Sequence, residues 1–246
     1  MKLLLKLSYL GTNYCGYQVQ KNAVSIQEKL QDCIEAVYHK RYDVTGCSRT
    51  DSGVHARCFY CTVSAGKECE RIPTGSVPIV LNKYLPDDIS VSEAFLVDDS
   101  FHPRYNVKYK EYEYLILNSR IRDPFYEDRA YRFAVPLDSE KMDRAAKHFC
   151  GKHDFRAFMA SKSDVKDTVR NVMNCGVSRD EDFVRIRISA DGFLYNMVRI
   201  IVGTLIDVSA GKIAESDIPD IISSCDRSRA GFTAPPQGLY LNRVIY

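Results

Sequence analysis

The segment Lys2-Leu3-Leu4-Leu5-Lys6-Leu7-Ser8-Tyr9 begins the part of the chain that decides its fold. Its apolar run is too short for a secretory signal peptide, because polar residues interrupt it from Lys6 onward, so the segment predicts a first β-strand. A helix is predicted from about Val24 to Tyr38. Ser25 stands at its start and Glu28 follows three residues later, which is the spacing of a capping box.

The remaining predicted elements give the same order of strands and helices twice. In the first half, strands are predicted at Tyr42–Cys47 and Val54–Val63, a helix near Val77–Tyr84 and a strand at Ile89–Phe95. In the second half, strands are predicted at Val107–Leu117, Val169–Val177, Phe183–Ser189 and Leu239–Ile245, with helices at Ser139–Phe149 and Phe193–Ser209. Each half reads β-α-β-β-α-β, the order of a ferredoxin-like unit. We therefore expect an α+β protein whose halves, residues 1–104 and 105–246, form a joined antiparallel sheet beside a central cleft.

Composition restricts the class of protein without identifying it. The 246 residues are 45 % apolar and 27 % charged, which is ordinary for a globular protein, and the formal net charge is +2. This charge permits an RNA partner without requiring one, since electrostatic binding depends on where the cations cluster. No apolar run approaches the roughly 20 residues that a membrane-spanning helix needs.

Nine cysteines are scattered through the chain. Only Cys58 and Cys61 form a C-x-x-C pair, and no second pair or nearby histidine completes a set of four zinc ligands. On a strand, the two side chains would point to opposite faces. We therefore expect structural thiols in a reducing cytoplasm and no metal site.

A polar segment between two predicted strands carries the best candidates for chemistry. It reads Gly46-Cys47-Ser48-Arg49-Thr50-Asp51-Ser52-Gly53-Val54-His55-Ala56. Asp, Ser and Gly are typical turn residues, so one interpretation is a structural hairpin turn around Asp51. The other interpretation is a carboxylate presented at a cleft, with the cationic side chains of Arg49 and His55 beside it.

The segment Phe193–Gly203 predicts a helix in which an arginine stands among apolar residues. Helical spacing makes core residues of Leu194, Met197, Val198, Ile201 and Leu205. Asn196, Arg199 and Gly203 form a polar and small stripe on the same helix. A buried Arg199 needs an anionic partner, for which Asp51 is a candidate, whereas an Arg199 that reaches the surface needs none.

The strand predicted at Val107–Leu117 has a face that changes from basic to aromatic to aliphatic. With a period of two, this face carries Lys108, Lys110, Tyr112, Tyr114 and Ile116. Cations followed by aromatic rings suit phosphates followed by an unstacked base, although an amphipathic sheet edge with tyrosines reaching to solvent explains the pattern nearly as well. Further positive charge comes from Arg156, Lys162, Lys166 and Arg170, and a solvated face is the usual meaning of such scatter.

Several segments, in the same order and with the same spacing, resemble those of the TruA family of tRNA pseudouridine synthases. They are Tyr9-x-Gly11-Thr12-Asn13-Tyr14-x-Gly16-x-Gln18-x-Gln20, Arg49-Thr50-Asp51-x-Gly53-Val54-His55-Ala56, Phe101-His102-x-Arg104, Gly151-x-His153-Asp154-Phe155, Gly192-Phe193-Leu194-x-x-Met197-Val198-Arg199 and Ala234-Pro235-Pro236-x-Gly238-Leu239. The resemblance covers the chain from Lys2 to Tyr246. Departures from the family pattern occur at Leu10, Tyr17, Ser48, Ser52 and Pro103, and none of them is an expected catalytic position.

This resemblance implies a cytoplasmic homodimer with a basic cleft and no cofactor. It implies isomerisation of uridine to pseudouridine in the anticodon stem-loop of tRNA, at tRNA positions 38, 39 and 40. Asp51 matches the essential aspartate and Arg49 an arginine of the same loop that helps to displace the target base. Tyr112 matches the tyrosine that stacks on that base, and Arg199 the arginine that pairs with the aspartate. The residues expected to bind the RNA besides Tyr112 are His55, Arg104, Lys108 and Lys110.

The expected reaction breaks the N1–C1′ glycosidic bond, turns the uracil and joins C5 to C1′. Asp51 either attacks C1′ or takes the C2′ proton, and the sequence does not choose between these routes. One alternative is an RNA-binding or RNA-folding protein that performs no chemistry, which would gain nothing from a carboxylate in a basic cleft. Another is a hydrolase that uses Ser48 or Ser52 with His55 and Asp51. These residues lie too close in sequence for the usual triad, and no G-x-S-x-G motif is present.

Overall fold

The computed structural model describes residues 1–160 and 165–246, which form two compact units. The first unit contains Met1–Lys108 and Tyr240–Tyr246, and the second contains Tyr109–Leu239. The closing residues of the chain, which lie in the second of the two predicted halves, thus belong to the first compact unit. Lys162, one of the cations noted above, lies outside the described residues.

The first unit contains five strands and two helices: β1 (Lys2–Tyr9), α1 (Ile26–Tyr38), β2 (Val44–Gly46), β3 (His55–Val63), α2 (Val77–Leu81), β4 (Ile89–Val97) and, at the end of the chain, β10 (Leu239–Ile245). β1 lies between β4 and β3 and is antiparallel to both, and its leucines are buried. β2 pairs with the end of β3, and β10 pairs in parallel with the beginning of β3. The predicted capping box of α1 is confirmed: Glu28 N donates to Ser25 Oγ, and Ser25 N donates to the Glu28 carboxylate.

The strands of the second unit follow one another in the order β5-β9-β8-β7. Its elements are β5 (Tyr109–Leu117), β6 (Tyr131–Arg132), α3 (Ser139–Lys147), β7 (Gly151–Asp154), β8 (Val169–Asp180), β9 (Phe183–Ala190), α4 (Met197–Ser209) and α5 (Ile218–Ser224). The four strands are antiparallel, and the short β6 adds a parallel pairing to β5. α3 packs against β8 and α4.

The α+β class is confirmed, and antiparallel pairing dominates the sheets. Each helix and strand predicted from the sequence is present within a few residues of its predicted bounds, whereas β6, β7 and α5 were not predicted. α4 begins at Met197 rather than at Phe193, because Asn196 has φ 61°, a left-handed conformation that cannot continue a helix. Within the described residues, no helix combines the length and the apolar character that crossing a bilayer requires.

α4 forms the centre of the core of the second unit. The five residues predicted to face the core are all buried, and so are most of their neighbours on the helix. A helix that is apolar on nearly all sides must be covered on nearly all sides. The backbone of this helix is therefore a rigid base for the side chains at its first turn.

Candidate active site

The candidate residues divide between the two units. Asp51, Arg49, His55, Arg104 and Lys108 belong to the first unit, and Tyr112, Lys110 and Arg199 to the second. In the first unit, Asp51 lies on the loop between β2 and β3 and is partly exposed. Its carbonyl accepts a hydrogen bond of 3.1 Å from Val54 N, and Gly53 has φ +76°. A glycine with positive φ at the third position is typical of a tight type II turn, so the turn predicted around Asp51 is present.

The loop that carries Asp51 is held by the segment between β1 and α1. Tyr17 N donates to Thr50 O at 3.1 Å, and Gly53 N donates to Tyr14 O at 3.3 Å. Two glycines allow this close approach. A Cβ on Gly11 would lie 2.0 Å from Val54 O, and one on Gly16, where φ is +90°, would lie 2.6 Å from Thr50 O. Only glycine fits at either place, so these glycines of the first motif serve the geometry of the second.

His55 connects the same two segments from inside the unit. Its Nδ1 accepts a hydrogen bond of 2.9 Å from Gly11 N, its ring lies 4.7 Å from that of Tyr240, and the side chain is 0 % exposed. An Nδ1 that accepts a hydrogen bond carries no proton, so the imidazole is neutral and its proton lies on Nε2. In this conformation RNA cannot reach the ring. Tyr9 and Thr50 share a second buried hydrogen bond, of 2.8 Å, beside Asp51.

The cations predicted in the first unit differ in exposure. Arg49 and Lys108 are exposed, whereas Arg104 is partly buried, and its backbone N donates to His102 Nδ1 at 3.1 Å. Sequence reasoning missed Arg57, whose guanidinium lies 4.3 Å from the centre of the Tyr240 ring and donates to Asn242. The available signal was its position two residues after His55, on the same face of β3.

In the second unit, Tyr112 lies on β5 and is 6 % exposed. The ring of Phe193 meets it edge-on at 4.9 Å, which fixes the orientation of the tyrosine ring. Tyr114 is completely buried and donates its hydroxyl hydrogen to Pro235 O at 2.7 Å, so this tyrosine does not reach solvent as one interpretation required. Lys110 on the same strand is also buried.

Arg199 lies in the first turn of α4 and is partly buried. Its Nε donates to Ala234 O at 2.7 Å and its Nη1 to Asn196 Oδ1 at 2.9 Å. These two acceptors fix the orientation of the guanidinium. Burial raises the pKa of Tyr114, and the positive charge of Arg199 partly opposes this rise.

The predicted stripe of Asn196, Arg199 and Gly203 is the face of α4 that meets the segment before β10. A Cβ on Gly203 would lie 1.8 Å from Phe232 O, and Ala234 N donates to Arg199 O at 3.0 Å. The small residue therefore lets the segment lie directly on the helix. The Ala234 carbonyl that orients Arg199 is thus fixed by backbone contact.

Sequence reasoning also missed a buried carboxylate on β5. Glu113 is 1 % exposed and accepts from Arg187 Nε at 2.7 Å, and Arg185 Nη1 lies 3.7 Å from it. Glu113 and Arg187 are direct neighbours across β5 and β9. Their pairing depends on the register of two distant strands, which no local pattern reveals.

Thiols and acidic residues form no metal centre in the part of the chain that the structure describes. All nine cysteines are free thiols. Cys58 is partly exposed and Cys61 is buried, as expected for two strand residues three positions apart.

The contacts of Ser52 and His55 do not support the alternative of a triad built on Ser52. Ser52 Oγ donates to Tyr14 O at 3.3 Å, and Nδ1 of His55 is occupied by Gly11 N. The Ser52 hydroxyl and Nδ1 of the imidazole thus serve the backbone of the loop.

An ordered aspartate turn therefore lies in the first unit, and a tyrosine and an arginine with fixed orientations lie in the second. The sequence pattern of the family described as tRNA pseudouridine synthase matches residues 7–106 and 145–246. The tRNA pseudouridine synthase A of a Thermoanaerobacter species is 48 % identical over 244 residues, which are 99 % of each chain. That of Acetivibrio thermocellus is 44 % identical over 247 residues, with 98 % of each chain covered. The chain belongs to the tRNA pseudouridine synthase family.

Proposed function

We propose that this enzyme isomerises uridine to pseudouridine in the anticodon stem-loop of tRNA, at positions 38, 39 and 40, and that Asp51 is its catalytic carboxylate. The observation that carries the proposal is the Asp51 turn. Two glycines without space for a side chain and a buried histidine hold this turn, yet the aspartate itself stays partly exposed. Such preorganisation is unnecessary for a surface turn and is required of a group that must meet one atom of a substrate.

The reaction requires the target nucleotide to leave the stack, because a base inside a helix cannot turn. Displacing it costs a few kcal/mol, and stacking on Tyr112 offsets about 1–3 kcal/mol of that cost. The edge-on contact with Phe193 fixes the ring before the base arrives. The exposed Arg49 is placed on the same loop as Asp51 and assists the displacement.

Asp51 acts at the sugar of the displaced nucleotide, by attack on C1′ or by removal of the C2′ proton. Arg199 is proposed to pair with this carboxylate, which keeps it ionised and fixes its direction. The support is the pair of acceptors, Ala234 O and Asn196 Oδ1, that fix the direction of the guanidinium. No bond to water forms overall, so the residues named here suffice for the isomerisation.

The proposal also includes the arrangement of the two halves of the chain. Residues 1–104 supply the aspartate loop and residues 105–246 the tyrosine strand and the arginine helix, as two ferredoxin-like halves with joined sheets around a basic cleft. Arg104 and Lys108 contact the RNA there, the buried Lys110 adds positive charge behind them, and His55 contributes by holding the loop. We propose that the enzyme works as a homodimer in the cytoplasm, where tRNA is found.

The test is incubation of the purified protein with unmodified tRNA, followed by carbodiimide mapping of pseudouridine. We expect new pseudouridines in the anticodon stem-loop and none elsewhere. Asp51→Asn keeps the shape and much of the turn-forming capacity of the aspartate but removes its charge and nucleophilicity. It should abolish product formation while tRNA affinity stays within about tenfold, because phosphate contacts dominate binding.

Two outcomes would contradict the proposal. Near-normal release of tritium from C5-labelled uridine by Asp51→Asn would remove the aspartate from the chemistry. Tight binding of tRNA by the wild-type protein without any pseudouridine would indicate an RNA-binding protein that performs no reaction.

A further inference from the structure

Asp88, in the turn that leads into β4, holds the segment between β1 and α1 at three points. Its carbonyl accepts from Leu10 N at 2.9 Å. Its carboxylate accepts from Asn13 Nδ2 at 3.1 Å and from the hydroxyl of Tyr14 at 2.5 Å. Asp88, which is 74 residues from Tyr14 in sequence, thus fixes both the beginning of the segment and the turn within it.

Tyr14 carries this restraint on to the catalytic loop. Its carbonyl accepts two hydrogen bonds of 3.3 Å, one from Ser52 Oγ and one from Gly53 N, the two residues that directly follow Asp51. Its own N donates to Gly11 O, and the residue is only 5 % exposed. Burial, and next the neighbouring Asp88, raise the pKa of the Tyr14 hydroxyl, so this hydroxyl remains a donor throughout the physiological pH range.

We infer that Asp88 is a positioning residue for the catalytic turn and acts on it through Tyr14. The inference rests on the proposed role of Asp51. Asp88 anchors the hydroxyl end of the Tyr14 side chain. The Tyr14 carbonyl is therefore held in one position, where it accepts the hydrogen bonds of the Asp51 turn. Without the carboxylate, the buried hydroxyl loses its partner and the segment gains freedom to shift. A displacement of about 1 Å at a reacting group can cost about a hundredfold in rate.

The competing explanation is that Asp88 only stabilises the first unit. A purely structural residue changes the fraction of folded enzyme and leaves the turnover of each folded molecule unchanged. A positioning residue lowers kcat of the folded enzyme and leaves KM for tRNA nearly constant, because the phosphate contacts lie elsewhere. The two explanations therefore separate when kcat and KM are measured well below the melting temperature.

The experiment compares three variants with a matched control. Asp88→Ala removes both acceptor oxygens, Tyr14→Phe removes only the donor, and Asp88→Asn keeps one acceptor. The control, Asp87→Ala, makes the same change of charge at the exposed neighbouring residue. We expect Asp88→Ala and Tyr14→Phe each to lower kcat by about tenfold or more with KM within about twofold. The double variant should be no worse than the poorer single variant, because both remove one interaction.

We also expect Asp88→Asn to restore kcat to within about threefold of the wild-type value. Asp87→Ala should have wild-type kcat and KM. Wild-type kcat in folded Tyr14→Phe overturns the inference, even if Asp88→Ala fails to fold. Additive losses in the double variant overturn it too. Asp51→Asn is measured in parallel: an active Asp51→Asn contradicts the proposed function itself, whereas an inactive one beside a fully active Tyr14→Phe contradicts only the positioning role of Asp88.

Discussion

Replacing Arg199 by Met removes one positive charge and the hydrogen bonds of the guanidinium, and keeps a long unbranched side chain. The bonds lost include those to Ala234 O at 2.7 Å and to Asn196 Oδ1 at 2.9 Å. Each hydrogen bond from a charged group contributes about 1.5–3 kcal/mol. Because Arg199 is partly exposed, water replaces part of this, and we expect the free energy of unfolding to fall by about 1–3 kcal/mol. The buried remainder of α4 keeps the helix in place.

Expressed as free energies, the loss of transition-state stabilisation should exceed the loss of folding stability. Removing one preorganised donor from an active site typically lowers kcat by about 10²–10³. We expect a fall of that size for Arg199→Met, because Asp51 loses the group proposed to orient it. Arg199→Lys is the matched control: it keeps the charge, but an ammonium cannot serve both acceptors in the fork geometry of a guanidinium, so its turnover should be intermediate.

The assay is tritium release from C5-labelled uridine in tRNA, at equal folded fraction as judged by circular dichroism. Binding of the same tRNA is measured on filters. Wild-type turnover in a folded Arg199→Met protein would refute the proposed pairing with Asp51, whatever happens to stability.

Three further results are expected. Binding of tRNA should weaken steeply with salt, and Lys108→Ala and Lys166→Ala should each reduce the slope of log affinity against log salt by about 0.7–0.9; an unchanged slope would remove these lysines from the phosphate contacts. Gly16→Ala should lower the free energy of unfolding by about 1–3 kcal/mol and reduce turnover, since its Cβ would lie 2.6 Å from Thr50 O at φ +90°. Gly75→Ala, where a Cβ meets nothing within 4 Å, should be neutral, and equal effects of the two substitutions would contradict the account of the loop. Sedimentation at micromolar concentration should show a dimer, and a monomer alone would disprove it.

Local signals predicted local structure well. The start of α1 follows from Ser25 and Glu28, because a capping box is complete within four residues. The core face of α4 follows from the spacing of its apolar residues. The start of the same helix was misplaced because the left-handed conformation of Asn196 leaves no mark in the apolar pattern.

Contacts between distant segments were not accessible to the same reasoning. The Asp51 motif indicated a turn, but the glycines and the tyrosine that hold it come from another motif, and Asp88 comes from no motif at all. Glu113 and Arg187 likewise meet through strand register. A pattern read along the chain locates residues on elements; it does not say which elements become neighbours.

The parallel pairing of β10 with β3 has a consequence for synthesis on the ribosome. Arg57 on β3 and Asn242 on β10 are joined across 185 residues, and Tyr240 pairs beside His55. Domains that emerge first usually fold first, at a translation rate of about 5–20 residues per second. Here β3, which follows the Asp51 loop, lacks its neighbour β10 until Leu239–Ile245 has been translated. We therefore expect the loop that carries Asp51 to stay incompletely supported in the nascent chain until β10 has emerged.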